Sequence, residues 1–403
     1  MIGSSTSFHI RSSAVPASSS PTSVLAVELS CEGGESARLP GVVSLLELLG
    51  EVADPRARRG VRYSAGAILA AALAAVLAGA RSLTAIGQWV GEAPVTVLSQ
   101  LGFQGSVPAE STIRRFLQAL DADALDKVIG EWMWRKTRGM RGRRVVSFDG
   151  KSLRGTREGD GRPIHLLSGV CQRLGVVLGQ IGVGSKTNEI PMLRELLAGI
   201  DIDGMIITAD AMHTNRDTAT YITDLGGDYL LTVKDNQPRL RKALKKLPWH
   251  SVRTHDRTRT RRHGREETRT LKALAIRGPD IEFPGARLAL KITRRRVDAK
   301  TRKFQSATIY AITSLTAADA TPRQIAAWLR GHWHIENRVH CVRDVTFDED
   351  RCRVRTGAGA QVMATLRNTT IGLLRLRGHH SIAAGLRHHS YQHERPLELL
   401  KSC

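Results

Sequence analysis

The chain has 403 residues, of which 60 are Lys or Arg and 38 are Asp or Glu, so that its formal net charge is +22. A composition of 41% hydrophobic and 24% charged residues excludes global disorder, and the positive excess favours nucleic acid over an acidic membrane surface as the partner. The five cysteines form no CxxC pair, which excludes a small disulfide scaffold and a four-cysteine zinc ribbon and fits a reducing cytoplasm.

The N-terminal third predicts a tail followed by helices. Residues 1–40 begin with a stretch rich in Ser, Pro and Thr that lacks the apolar core of a signal peptide, and we expect a disordered tail. The Ala-rich run 65–80 is too short and too weakly hydrophobic for a membrane span, so we expect a buried helix and no membrane partner. Helical spacing predicts a small all-helical domain over residues 41–138, with helices at Val42–Val52, Ala65–Ala80, Leu83–Val90, Thr112–Leu120 and Ala124–Arg135.

From residue 145 the pattern changes to short runs of β-branched residues. Strands are predicted at Val145–Phe148, Ile164–Cys171, Val176–Val183, Met205–Thr208 and Tyr229–Val233, with helices at Pro191–Gly199 and Thr214–Leu225. This order indicates an α/β sheet with mixed strand directions. Residues 249–306 are strand-like and very basic; a strand at Ala307–Ser314, a long helix from Arg323 to about Arg343 and a helix at Gln361–Leu376 follow.

Three acidic residues stand out by their positions. Asp149 and Asp210 come directly after predicted strands, where ligand sites of open α/β sheets gather, and Glu336 lies in the long predicted helix. Three carboxylates without a Cys/His set favour Mg²⁺ or Mn²⁺, and two such ions can activate a hydroxyl at a phosphodiester. From spacing alone the signal is weak, because an aspartate at a strand end is ordinarily a cap or turn residue and Glu336 could be a solvated helix acid.

Six sequence blocks occur in a fixed order: FDGKSLRGT, KTNEIPMLRELL, ITADAMHTN, YLLTVKDNQP, HGREETR and HWHIENRVHCVRDVTFDEDRCRVR. With them the chain resembles the H-repeat-associated family of bacterial insertion-sequence transposases over about residues 42–400, and DPRARRGVRYS and VPAESTIRRFLQALDADAL resemble the helical domain that accompanies that family's catalytic domain. The resemblance implies an RNase H-like α/β catalytic domain over residues 139–385, with a β-rich insertion at about 249–306 and a C-terminal tail at 386–403.

The resemblance also implies a function and a catalytic site. It maps a DDE triad, which holds two Mg²⁺ ions with Mn²⁺ as a substitute, onto Asp149, Asp210 and Glu336. The implied protein is a DNA transposase that binds the terminal inverted repeats of its element, cleaves DNA and transfers the strand to target DNA. Its partners are then double-stranded DNA and, in the active complex, a second copy of the chain. Two rival functions stay open, namely a decayed DNA-binding protein of the same fold and a metal-dependent nuclease that never joins strands.

The segment around Glu336 departs from a signature of related transposases, Tyr-x2-Arg-x3-Glu-x6-Lys. The corresponding residues are Leu329, His332, Glu336 and Arg343. Arg343 keeps the charge of the lysine, and Arg330 is a candidate to replace the missing arginine, so both are predicted to contact DNA phosphates.

Further basic residues are candidates for DNA contacts. Lys151, Arg154 and Lys234 follow predicted strands and could sit near the scissile phosphate, or they could be ordinary solvated cations. Residues 253–269 contain seven arginines against three acids, which favours a phosphate-binding surface. The members of that surface are predicted to be Arg261, Arg262, Arg265 and Arg269.

Other polar residues allow two interpretations each. His213 could orient a metal ligand or cap the next helix, and Arg114 with its neighbours could read DNA or belong to a helix explained by core packing. A zinc site is disfavoured for the histidines near Glu336, because His332 and His334 do not face each other on a helix. The acids Asp344, Asp348, Glu349 and Asp350 are expected to pair with Arg351, Arg353 and Arg355.

Overall fold

The computed structural model describes residues 44–59, 61–156, 161–184, 188–262, 264–277 and 281–402. The predicted N-terminal tail and the side chain of Arg262 lie outside this description. Residues Gly41–Cys403 form one compact unit. No helix in the described ranges is long and apolar enough to cross a membrane.

The helical N-terminal region agrees with the prediction and contains one additional short helix. Ser44, Ser64 and Ser82 cap the first three helices by accepting backbone N–H bonds, which explains where these helices begin. The second helix is buried at every residue except Gly66, as expected for the Ala-rich run. The helices are α1 (Leu45–Gly50), α2 (Ala65–Leu77), α3 (Leu83–Glu92), α4 (Val95–Gln100), α5 (Glu110–Ala119) and α6 (Ala122–Lys136).

One nine-stranded sheet forms the centre of the protein. Its strands are β1 (Val145–Leu153), β2 (Ile164–Cys171), β3 (Val176–Val183), β4 (Ile206–Ala209), β5 (Asp228–Val233), β6 (Asp256–Arg262), β7 (Arg265–Ala275), β8 (Leu288–Asp298) and β9 (Phe304–Thr313). They lie in the order β3-β2-β1-β4-β5-β9-β8-β7-β6. Strands β1, β4 and β5 are parallel, whereas β2 and β3 form the antiparallel edge, so the first five strands have the expected RNase H-like arrangement.

The basic insertion extends this sheet. Strands β6 to β9 form an antiparallel meander that joins the first five strands through pairing of β9 with β5. The β-rich character predicted for this segment is confirmed. Because β9 begins at Phe304 and pairs with the end of β5 only from Tyr310 onward, the meander extends past the carboxyl end of β5.

The remaining helices are α7 (Glu189–Ala198), α8 (Arg216–Asp224), α9 (Pro238–Lys246), α10 (Pro322–Gly331), α11 (Cys341–Val345), α12 (Gly359–Leu376), α13 (Ile382–Ser390) and α14 (Glu394–Lys401). The long helix predicted from Arg323 is interrupted: α10 ends at Gly331, and a π-helical turn, Glu336–His340, precedes α11. Gly331 packs so closely on the amide of Gln172, the residue after β2, that a side chain at position 331 would displace this amide. The expected C-terminal tail is wrong, because these residues form α13 and α14, and α14 buries Leu397 and Leu400 against the N-terminal helices.

The helical region packs directly on the sheet. Helix α6 approaches β3 so closely that a Cβ at Gly130 would lie 2.8 Å from the Leu178 carbonyl oxygen, and α12 packs beside α6. A buried polar cluster fills this contact. The Asp126 carboxylate accepts hydrogen bonds from Thr365 Oγ1 at 2.6 Å and from Gln180 Nε2 at 3.1 Å. The predicted domain boundary at residue 138 therefore falls between parts that share one core.

Candidate active site

The register of the parallel strands brings the two aspartates together. Phe148 of β1 pairs with Ala209 of β4, so the next residue on each chain, Asp149 and Asp210, emerges at the same edge of the sheet. Strand β1 is longer than predicted, because β2 continues to pair with it as far as Leu153. Asp149 therefore lies within a strand, opposite Ser168, rather than in a turn.

Glu336 reaches the same cleft from the π-helical turn. The Nδ1 atom of His340 lies 3.2 Å from Glu336 Oε2 and 3.6 Å from Asp149 Oδ2. One ligand atom from each of Asp149, Glu336 and His340 falls within 4.8 Å of the others, which is a spacing that a single cation can bridge. Asp210 stands outside this group and forms an ion pair with Lys234 Nζ at 3.1 Å.

The acids differ in their electrostatic environment. Burial, together with the negative charges of Glu189, Glu336 and Asp210, raises the pKa of Asp149 to about 7. Burial opposes ionisation of Asp210 too, but the Ala211 N–H and Lys234 outweigh it and lower its pKa. The hydrogen bond from His340 lowers the pKa of Glu336. A divalent cation would relieve the repulsion around Asp149, and the carboxylate-rich donor set suits hard ions such as Mg²⁺ and Mn²⁺.

The acids line one wall of an open cavity of about 400 Å³. The opposite side is formed by the insertion and by α10, which contribute Arg269, Arg294 and Arg330. Apolar side chains, among them Leu271 and Ile292, also line the cleft. The cleft thus joins acids that can hold cations with arginines that can hold phosphate.

A partly buried His-Glu-His cluster, of which His213 is fully buried, lies beside the aspartates. Glu189, at the start of α7, is 2.7 Å from His165 Nε2 and 3.2 Å from His213 Nε2. Although burial opposes its ionisation, the bonds to both histidines lower the pKa of Glu189 to about 2. Glu189 also packs against Gly150, where any side chain would collide with it. Of the two interpretations of His213, the structure favours the orienting one, since its ring holds the segment after Asp210 onto Glu189.

The predicted DNA-contacting residues fall into two groups. Lys234, Arg269 and Arg330 line the cleft, although Arg269 pairs with Glu267 at 2.6 Å and Arg330 with Asp256 at 3.7 Å. Arg154, Arg261, Arg265 and Lys151 do not line the cleft. Arg154 is 80% exposed beside Asp350, Arg261 and Arg265 are exposed on the insertion, and Lys151 is only 10% exposed and pairs with Asp344 at 2.7 Å.

Two positions of the transposase signature, Arg343 and His332, present no positive charge to the cleft. Arg343 is fully buried, and its Nε donates to Glu349 at 2.8 Å, so its predicted DNA contact is wrong for this structure. A π-helical turn adds one residue to the helix, which rotates everything after Glu336 by about 100° and turns Arg343 inward. His332 lies 3.2 Å from Thr208 Oγ1, and burial lowers its pKa to about 4, so it is neutral.

The sequence argument missed three residues of the site. His340 is four residues after Glu336, a spacing that places both side chains on one helix face, but the sequence argument gave this histidine no role in the site. Glu189 and His165 offered no such signal, because their partners come from distant segments of the chain.

Comparison with known proteins gives consistent matches. The family model described as "DDE_Tnp_1-associated" matches residues 46–133, and "Transposase DDE domain" matches residues 140–373. The Escherichia coli K12 proteins "Putative protein YbfL" and "H repeat-associated putative transposase YhhI" are each 33% identical over 344 residues, covering 82% of this chain and 90% of the relative. A cryo-EM structure of the piggyBac transposase synaptic complex with hairpin DNA is similar at a TM-score of 0.43 and 11% identity, covering 87% of this chain and 77% of that one.

Proposed function

The chain belongs to the DDE transposase family, and on that premise we propose that it binds the terminal inverted repeats of an insertion sequence and catalyses DNA cleavage and strand transfer. The observation that carries this proposal is the pairing of Phe148 with Ala209, which sets Asp149 and Asp210 side by side in the cleft that Glu336 also lines.

In this function the three acids are the catalytic residues. Asp149, Asp210 and Glu336 would hold two Mg²⁺ ions, with Mn²⁺ as a substitute, and the Lewis acidity of these ions would favour attack at phosphorus and departure of the leaving oxygen. Lys234 balances the charge of Asp210, from which it lies 3.1 Å. Arg269, Arg294 and Arg330 would orient the phosphodiester on the other side of the cleft.

The proposed reaction has two displacements at phosphorus. In the first, a water oxygen bonds to phosphorus and the 3′-oxygen leaves with a proton, which gives a 3′-hydroxyl and a 5′-phosphate. In the second, that 3′-hydroxyl loses its proton as its oxygen bonds to a target phosphorus, and the target's own 3′-oxygen leaves as a hydroxyl. Neither step needs a covalent protein intermediate. Pairing of two element ends calls for two copies of the chain, and we propose a homodimer as the active form.

Strand cleavage and joining test the proposal directly. The substrate is a duplex that carries the element's flanking terminal repeat, incubated with Mg²⁺ or Mn²⁺ and target DNA. Asp149→Asn, Asp210→Asn and Glu336→Gln should each abolish nicked and joined products while DNA binding persists. Glu195→Gln, an exposed acid on α7, serves as the matched control and should keep activity.

The remaining outcomes identify the rival functions. Cleavage without joined products, after variation of target DNA and partner end, would indicate a nuclease. Binding of the repeat without cleavage under either metal would indicate a decayed DNA-binding protein.

A further inference from the structure

A second open groove, about 550 Å³ in volume, lies where the helical region meets the chain segment after the catalytic glutamate. One wall is formed by residues 81–84 at the start of α3 and by α5, and the other by residues 347–356. We call this feature the seam groove. It is separate from the catalytic cleft, with which it shares no lining residue.

The seam groove is strongly basic. Its charged lining consists of two acids, Glu110 and Asp348, and of the arginines Arg81, Arg114, Arg351, Arg353 and Arg355, all five of which are exposed. Glu110 lies 3.7 Å from Arg114, and Asp348 lies 3.7 Å from Arg351, whose side chain is 86% exposed. Three positive charges therefore remain in excess along the groove.

The expected neutralisation of these arginines by the neighbouring acids is largely wrong. Asp344 pairs with Lys151, Glu349 with the buried Arg343 and Arg367, and Asp350 with Arg154. These three acids thus point into the protein or toward β1. As a result Arg353 and Arg355 face the groove without their nearest acids in sequence.

Both walls are held by backbone contacts. The Ala358 N–H donates to the Gln118 carbonyl of α5 at 2.9 Å, and any side chain at Gly357 would collide with the same carbonyl. On the other side, Arg355 Nε donates to the Gly155 carbonyl at 3.3 Å, and Gly155 packs on the Cys352 carbonyl. The groove is therefore built onto the end of β1, the strand that carries Asp149.

We propose that the seam groove binds the phosphodiester backbone of duplex DNA whose end occupies the catalytic cleft, an inference that rests on the proposed function. Guanidinium groups match phosphate oxygens in a bidentate geometry, and the groove adds neutral donors from Ser82, Thr84 and Gln118. Contacts of this kind position the duplex without reading its sequence. The helical region would in this way hold the element end through its junction with the catalytic domain.

Fluorescence anisotropy with a labelled terminal-repeat duplex and the full-length protein tests this proposal. The double variant Arg353→Gln/Arg355→Gln should weaken binding at least tenfold at moderate salt. It should also reduce the slope of log affinity against log salt by about 1.8, because two phosphate contacts are lost at about 0.9 each. The control is Arg377→Gln/Arg387→Gln, which removes equal charge from exposed arginines outside the groove and should retain more affinity and the full slope.

A second pair on the opposite wall, Arg81→Gln/Arg114→Gln, guards against local unfolding around Arg355. Both pairs should give the same loss of slope at unchanged melting temperature. If both pairs bind like the control, the seam groove is not a backbone site and DNA binding by the protein still stands. If the wild type and the control fail to bind the duplex, the proposed function fails, and this inference fails with it.

Discussion

The imidazole of His340 lies between two acids of the candidate active site, with Nδ1 3.2 Å from Glu336 Oε2 and 3.6 Å from Asp149 Oδ2. Burial lowers the pKa of His340, so the ring is neutral and can donate one proton or offer one lone pair. Its side chain is only 2% exposed, whereas that of Glu336 is 51% exposed. The buried ring therefore restrains an exposed carboxylate that would otherwise sample many rotamers.

His340→Ala should weaken Mn²⁺ binding by about 10- to 100-fold, the range found when a residue that orients metal ligands is removed. Isothermal titration calorimetry, or the rise in melting temperature on adding Mn²⁺, measures this effect without requiring turnover. His334→Ala is the matched control, since His334 contacts the Gln172 carbonyl at 3.2 Å instead of the acids. Equal Mn²⁺ affinity in both variants would show that His340 only packs.

Glu189→Ala should reduce the free energy of unfolding by about 1–3 kcal/mol, because it leaves the buried ring of His213 without its hydrogen-bond partner. Glu195→Ala, exposed on the same helix, should change it by less than about 0.5 kcal/mol. Urea denaturation compares the two.

Glu189→Gln keeps one acceptor oxygen and should remain folded, yet cleave DNA about tenfold more slowly, since Gly150 and His213 would no longer be held beside the aspartates. Full cleavage by this variant would contradict the orienting role.

The buried Asp126 should make the protein less stable as pH rises. Burial raises its pKa from 3.8 to about 7, so between these values the folded state binds a proton that the unfolded state has lost. The free energy of unfolding should therefore fall from about pH 4 to about pH 7, by up to about 4 kcal/mol, and then stay level. Asp126→Asn should remove this part of the difference between pH 5 and pH 8 in urea denaturation. Asp217→Asn, whose side chain is 81% exposed, should leave it in place.

Strand pattern and strand ends predicted that the two aspartates lie close together, whereas their assignment as catalytic residues came from the family resemblance. Strands β2 and β3 have the predicted bounds, since a short turn between two apolar runs leaves little freedom of register. Asp149 and Asp210 were found because each follows the short buried run of a parallel strand. Each signal is local in the sequence, and the pairing of β1 with β4 then brings the two aspartates close together.

The features that were not predicted depend on contacts between distant segments. Helix α10 ends at Gly331, which packs closely on Gln172. The two residues are far apart in the sequence, and no sequence pattern indicates that they are in contact. The His165–Glu189–His213 cluster joins side chains from three separate segments of the chain. Helix α14 packs on α2, which lies more than 300 residues earlier in the sequence. A single sequence does not reveal pairs of this kind.

Arg343 provides the sharpest test of the interrupted helix. Its guanidinium and that of Arg367 share the buried Glu349 carboxylate, at 2.8 Å each. Removing one cation from a buried network leaves an uncompensated charge, so Arg343→Ala should lower the free energy of unfolding by about 3 kcal/mol or more. At a temperature where the variant is folded, its affinity for DNA should equal that of the wild type.

Arg330→Ala, which removes a cation from the cleft, should do the reverse, weakening DNA binding with little loss of stability. Urea denaturation and fluorescence anisotropy on both variants decide the matter. A stable Arg343→Ala protein with weakened DNA binding would mean that the helix runs without the π-helical turn and that Arg343 faces the phosphate after all.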